Sequence, residues 1–344
     1  MSREAIKPES EPAVNPLERL AAMLSGDMQQ VNELIISNMQ SEIPLIPQLA
    51  GYLIASGGKR IRPLLTLACT RLFDDYTPRP FGLAASVEFI HTATLLHDDV
   101  VDGSEERRGK KAANLVFGNQ ATVLVGDFLF SRAFQLMTAD GALEILRILS
   151  DASATISQGE VKQLTTTSNL DTSMEDYIEV ISAKTAALFA AACEIGPVVA
   201  DQNKATQEAL RLYGLHLGLA FQIMDDVLDY SANQEKLGKA IGDDFREGKM
   251  TAPVLMALQD ATDEERTFWD RVLTKPEAQK DSDLARAIEI LAAKNAYERA
   301  ATLAKTHARN AKDAIQGIEK GAVKNDAFIL PLIDLVDYTI DREF

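Results

Sequence analysis

Apolar residues recur every three or four positions along most of this chain, the spacing of helices that bury one face. Leu17, Leu20, Ala21 and Leu24 open the pattern. Gly57-Gly58 interrupts it, and Pro63 then suits an early position in a new helix. Asp74–Pro80 is polar with two prolines and reads as a loop, whereas Phe81–Val101 and Ala121–Ala139 read as strongly apolar helices. Ser173 with Asp176, and Thr262 with Glu265, have the spacing of capping boxes at helix starts. Ser231–Lys249 carries three glycines and many charges and reads as a partly irregular loop. The helical pattern resumes at Thr251 and runs to Ile340. No convincing strand pair, short-period repeat or Gly/Ser linker interrupts it. The pattern predicts an all-α protein, a single large helical bundle around a central cavity over residues 17–344.

The first 16 residues hold Pro8, Pro12 and Pro16 but no apolar stretch of the kind a signal peptide needs, and are expected to be a disordered lead. No run of 18 apolar residues appears, so no segment is expected to span a membrane. The two cysteines, Cys69 and Cys193, lie in apolar helical contexts without metal-like spacing and read as core residues of a cytoplasmic protein. The net charge of −16 argues against a nucleic-acid partner, which calls for a basic face. An anionic substrate still fits if metal ions or local basic clusters bridge the charge.

Asp98, Asp99 and Asp102 form a D-D-x-x-D run, and Asp225, Asp226 and Asp229 form a second. Each follows an apolar stretch, Thr92–Leu96 and Leu217–Met224. Residues i and i+4 share a helix face, so each run packs like charges together, a destabilising placement unless a cation sits among them. One such run is weak evidence; two, each at the end of an apolar helix, point to a cation site. All-oxygen ligands select a hard cation such as Mg²⁺, which takes one or two carboxylates and completes its shell with water and phosphate. The alternating ligands and central glycine of an EF-hand are missing.

Two basic clusters stand out against the acidic background: Lys59, Arg60 and Arg62 after the glycine pair, and Arg107, Arg108, Lys110 and Lys111. Arginine forks suit phosphate oxygens, and the glycines allow close backbone approach to an anion. Arg107 and Arg108, next to the first acidic run, read as phosphate-binding; Lys110 and Lys111 read as solvated. His91, two turns before Asp98 on one face, is placed to donate to a second diphosphate. His97 reads as structural, and His216 and His307 have no evident partner.

GGKRIRP at 57–63, the stretch from His91 through LLHDDVVD to RRG at 109, GDFLFSRA at 126–133, KT at 184–185, FQIMDDVLDY at 221–230 and GDDFREGKMTAPV at 242–254 together resemble the trans-type polyprenyl synthetase family. The likeness covers nearly the whole chain from residue 17, and within the family it is greatest to bacterial octaprenyl-type synthases that make quinone side chains. It implies Mg²⁺-dependent, head-to-tail addition of isopentenyl diphosphate to an allylic diphosphate such as farnesyl diphosphate, in a homodimer. It implies two or three Mg²⁺ ions, held mainly by Asp98, Asp102 and Asp225 with Asp99, Asp226 and Asp229 in support. Lys59, Arg62, His91 and Arg108 would hold isopentenyl diphosphate. Arg107, Lys184, Thr185, Gln222 and Lys239 would hold the allylic diphosphate or the developing cation. Departures are Gly103, Glu106 and Met250, of which Glu106 could reorient Arg107.

A growing hydrocarbon needs an apolar tunnel. Ala93 lies about 7.5 Å before Asp98 along the helix, and it and Thr94 are small, which predicts a long product. Phe128, Phe130 or Phe134 would supply the floor. The competing functions are a shorter-chain farnesyl or geranylgeranyl synthase, a class I terpene cyclase, which uses an Asn/Ser/Glu-type second motif, and a non-catalytic synthase subunit, which would lack a metal cluster.

Overall fold

The computed structural model describes residues 15–55, 57–230, 241–319 and 321–341. The chain starts with α1 (Pro16–Met23), capped by Asn15, whose side chain accepts from the Leu17 N–H, and continues through α2 (Ser25–Asn38) and α3 (Leu45–Ala55). After the glycine break comes α4 (Ile61–Arg71), with Pro63 in its first turn. α5 spans Arg79–Val101, two residues earlier than the apolar pattern suggested. Proline lacks an N–H but loses nothing in a first turn, so Pro80 sits inside the helix.

An antiparallel hairpin follows, β1 (Glu106–Arg107) with β2 (Lys110–Lys111), correcting the expectation of no strand pair. Two-residue strands are too short to show alternation. Arg108 and Gly109 both take positive φ, 56° and 72°, as a tight primed hairpin turn requires. Next come α6 (Ala113–Phe117), α7 (Asn119–Asp140), α8 (Leu143–Thr166) and α9 (Met174–Ile181), the last starting on the Ser173–Asp176 capping box. A π turn at Ser182–Ala186 leads into α10 (Ala187–Val199), and α11 (Lys204–Leu228) follows.

The remaining helices are α12 (Asp243–Arg246), α13 (Ala252–Gln259), α14 (Asp263–Thr274) on the Thr262–Glu265 capping box, α15 (Asp283–Ala293), α16 (Ala296–Gln316) and α17 (Ile329–Ile340). Of the expected irregular stretch 231–249, the described part holds only the single turn α12. Of the expected N-terminal lead, only Asn15 and Pro16 are among the described residues, and Pro16 already belongs to α1.

Two apolar clusters form the core, and α11 belongs to both. Its Tyr213 and Leu217 pack with α4, α5, α8 and α10, while Ile223, Met224 and Val227 pack with α13–α16. Burying a large apolar side chain is worth about 1.5–3 kcal/mol, so α11 is fixed along its whole length. Tyr213 also donates to the Leu332 carbonyl at 2.9 Å. Cys69 and Cys193 are both buried core thiols. His216 of α11 and His307 of α16 are each other's partners, with Nδ1 atoms 3.1 Å apart. No helix among the described residues is long and apolar enough to cross a membrane.

Candidate active site

The last turn of α5 presents Asp98 and Asp102 on one face, each partly exposed. Asp99, one residue round, points inward with 1% of its side chain exposed and binds Arg107 through Nε and Nη2, each 2.6 Å from Oδ1. The hairpin thus hangs on Asp99. Asn114 Nδ2 donates to the carbonyls of Asp99 (3.0 Å) and Ser104 (3.1 Å), closing the loop between α5 and α6. Glu106 faces solvent in the hairpin and leaves Arg107 undisturbed. Burial pushes the Asp98 carboxyl up to about 6 against the pull of Lys184, with Glu160 and Asp102 adding to the rise.

The last turn of α11 carries the second run. Asp226 is buried and accepts from the Tyr177 hydroxyl at 2.6 Å and from Gln222 Nε2 at 2.8 Å; Gln222 Oε1 accepts from the Thr185 hydroxyl at 2.7 Å. Asp229, also buried, accepts from the Asp244 N–H at 3.1 Å. Burial, then the charge of Asp244, drives both carboxyls well above the usual range. Asp225 is partly exposed at the mouth.

Two lysines join the runs across one cleft. Lys184 Nζ lies 3.8 Å from Asp98 Oδ2, and its neighbour Thr185 starts the chain through Gln222 to Asp226. Lys249 Nζ lies 4.0 Å from Asp102 and 3.6 Å from Asp244, and pairs with Glu247. Burial alone would lower the Lys249 ammonium, but Asp244 and Glu247 outweigh it and hold it charged. Among the described residues no three carboxylate, histidine or cysteine groups stand close enough to hold a cation by themselves. Partly desolvated carboxylates facing each other with ammonium groups between them fit Mg²⁺, which needs few protein ligands and shares the rest with phosphate.

A basic recess opens beside the cleft, lined by Arg60, Arg107, Arg108, Glu88, His91 and Thr92 among others. A Cβ on Gly58 would fall 2.7 Å from Arg108 Nη1, so glycine is what lets that guanidinium lie against the backbone. Arg60 and Arg108 both adopt left-handed backbone, at φ 50° and 56°, strain of the kind concentrated at functional sites. Arg60 Nη1 donates to Glu88 Oε1 at 2.7 Å. Arg62 stacks on the Phe189 ring at 4.4 Å, and burial lowers its guanidinium to about 10. Burial, reinforced by Arg62 and Arg108, holds the His91 ring neutral.

The sequence profile described as "Polyprenyl synthetase" matches residues 43–291. The chain is 40% identical to an octaprenyl diphosphate synthase of Haemophilus influenzae over 95% of its own length and 98% of that protein's. The chain belongs to the polyprenyl synthetase family. Among solved structures, a decaprenyl diphosphate synthase from Rhodobacter capsulatus superposes with a TM-score of 0.90 at 46% identity, over 95% of this chain and 100% of that one. A polyprenyl synthase from Caulobacter crescentus, complexed with calcium and isoprenyl diphosphate, does so with a TM-score of 0.90 at 47% identity, over 96% and 99%. The fold is thus that of polyprenyl synthetases, and the chain is a prenyltransferase.

Against that family background, most of the residues singled out from sequence converge on the cleft and its recess. Lys59 is exposed at the rim, its Nζ over the Tyr338 ring at 5.8 Å. Lys239 lies outside the described residues. Ala93 is fully buried and Thr94 half-buried, its hydroxyl donating to the His91 carbonyl. Phe128 and Phe130 pack against the core. Phe134 is 38% exposed on α7. Its apolar spacing gave no sign of which face it takes. Sequence reasoning missed Glu88, Asn114, Glu160, Tyr177, Asp244 and Lys249 as members of the site. Of these only the last two lay in a recognised motif, GDDFREGK, where their charges were the available signal.

Proposed function

We propose that this prenyltransferase adds isopentenyl diphosphate units head-to-tail to an allylic diphosphate, with Mg²⁺, giving a long all-trans product of the octaprenyl type for quinone side chains. The observation that carries it is the pairing of an acidic cleft bridged by Lys184 and Lys249 with a separate arginine-lined recess. Two adjoining anion sites of different make-up suit two different diphosphates.

Asp98, Asp102 and Asp225 would hold the metal, and Asp226 and Asp229 would orient this end of α11 from behind. Bound there, Mg²⁺ supplies charge neutralisation for the departing diphosphate. Lys184 and Lys249 add fixed positive charge on the same side, stabilising charge that develops only as the allylic carbon–oxygen bond breaks. Arg62, Arg108 and His91 would hold isopentenyl diphosphate, with Arg60 as a further partner. The double bond of isopentenyl diphosphate attacks the allylic cation, and a proton then passes to the released diphosphate. Neutral His91 keeps one ring N–H with which to donate a hydrogen bond to isopentenyl diphosphate.

The relative from Haemophilus and the small, buried Ala93 support a long product. A homodimer is supported by exposed apolar residues on α6 and α7: Leu115, Val116, Leu124 and Phe134. The reaction's charged substrates suit a cytoplasmic setting. Chromatography of the products from farnesyl diphosphate, radiolabelled isopentenyl diphosphate and Mg²⁺ is expected to give mainly octaprenyl diphosphate from the purified chain alone. Consumption of the allylic diphosphate without isopentenyl diphosphate would indicate a cyclase and overturn the reading.

A further inference from the structure

Glu160 of α8 lies outside every motif that carries the family resemblance, yet a close helix contact brings it to the cleft. α8 presses Gly159 against the π turn: a Cβ there would fall 2.5 Å from Ala183 Cβ and 3.1 Å from Lys184 N. Any larger residue would push the two elements apart. The wide turn, a feature often found at functional sites, and the missing side chain together set residue 160 alongside residue 184.

Lys184 Nζ is consequently shared unequally. It lies 3.0 Å from Glu160 Oε2, a hydrogen-bonded ion pair, and 3.8 Å from Asp98 Oδ2, beyond direct hydrogen bonding. The other oxygen of Glu160, Oε1, is buried and has no hydrogen-bond partner among the described residues. A buried carboxylate oxygen without a donor is costly, so the arrangement is not one that maximises the stability of the metal-free fold. A lysine ammonium is a compact charge on a flexible stem and closes readily on whichever carboxylate attracts it more. Closing on Asp98 would take up the oxygen that a divalent cation needs.

We propose that Glu160 is a positioning residue that draws Lys184 back from Asp98, leaving that carboxylate open to the cation and the ammonium ready for the allylic diphosphate. The inference rests on the metal-dependent reading above and adds a member to its site.

The test is a binding titration with Mn²⁺ alone, counted by electron paramagnetic resonance on the full chain without substrate. Glu160→Gln keeps the shape and removes the charge. Its Mn²⁺ affinity is expected to fall about tenfold, the range for groups that orient a metal ligand. Adding Lys184→Gln is expected to restore the affinity at least to that of the unaltered chain, because the competing ammonium is gone. If the double variant binds as weakly as Glu160→Gln, Glu160 acts on the cation directly and the positioning role is overturned; unchanged affinity in Glu160→Gln overturns it too. Asp98→Asn separates this from the underlying reading. Loss of Mn²⁺ binding there upholds Asp98 as a ligand whatever Glu160 does, whereas unchanged binding sinks both.

Discussion

The two D-D-x-x-D runs are spelled alike and both close a long helix, yet the fold treats them differently. At the end of α11, Asp226 and Asp229 are buried and spoken for by Tyr177, Gln222 and the Asp244 amide. At the end of α5, the inward aspartate holds a hairpin arginine, and among the described residues the outward pair meets two lysines at 3.8 and 4.0 Å. One cluster is fastened into the core through neutral hydrogen-bond donors; the other is balanced by ammonium groups that are themselves paired with Glu160 and Glu247. The difference teaches that identical motifs can divide labour, the anchored run fixing geometry and the open run receiving charge.

The sharpest break of this comparison is kinetic. Asp98→Asn and Asp225→Asn are each expected to cut turnover by about 10³-fold, the several kcal/mol a catalytic metal contributes, in assays of labelled isopentenyl diphosphate incorporation. Asp226→Asn should lose less, and a loss as deep as that of Asp225→Asn would erase the proposed division. Next in size is Lys249→Gln. Its removal leaves Asp102, Asp244 and Glu247 facing one another, costing about 2 kcal/mol. Thermal unfolding should show the loss without metal and a narrower gap in excess Mg²⁺, which can replace the ammonium. A gap of equal width with and without Mg²⁺ would mean the lysine is only structural.

Tyr177→Phe probes the anchored side. It strips Asp226 of a buried donor and should cost about 1–2 kcal/mol in urea unfolding, with little response to Mg²⁺. The smallest effect concerns how α11 is held upstream. Burial lowers His216 and, to about 4, His307, where His216 adds to the shift. Neutral rings are favoured in the fold, so this pair's contribution is present above the unfolded value near 6.5 and is lost as pH falls from there toward 4. Half-exposed rings reduce the effect to about 1 kcal/mol. His307→Gln should flatten the decline of the melting temperature between pH 7.5 and 5; an unaltered slope would assign it to other groups.

Much of this was legible in the chain. Helical spacing marked α5 and α7 to within two residues at each end, and both capping boxes formed where Ser173 and Thr262 predicted them. The acidic runs and the arginines stood out because charge at the end of an apolar helix is a costly placement. The hairpin was hidden because two residues per strand carry no periodicity. The exposure of Phe134 was hidden because a helix with apolar residues on several faces does not announce which one looks inward.

The sequence by itself determined much of the helical pattern and the residue types of the site, since local periodicity and motif spacing are properties of neighbours along the chain, and the reaction class came with the family resemblance those motifs carry. Only the tertiary structure decided which aspartates are held and which are open, that His216 meets His307, and that Glu160 and Asp98 contend for one lysine. Those are relations between helices far apart in sequence, set by packing at glycine contacts and by burial, and no linear spacing encodes them.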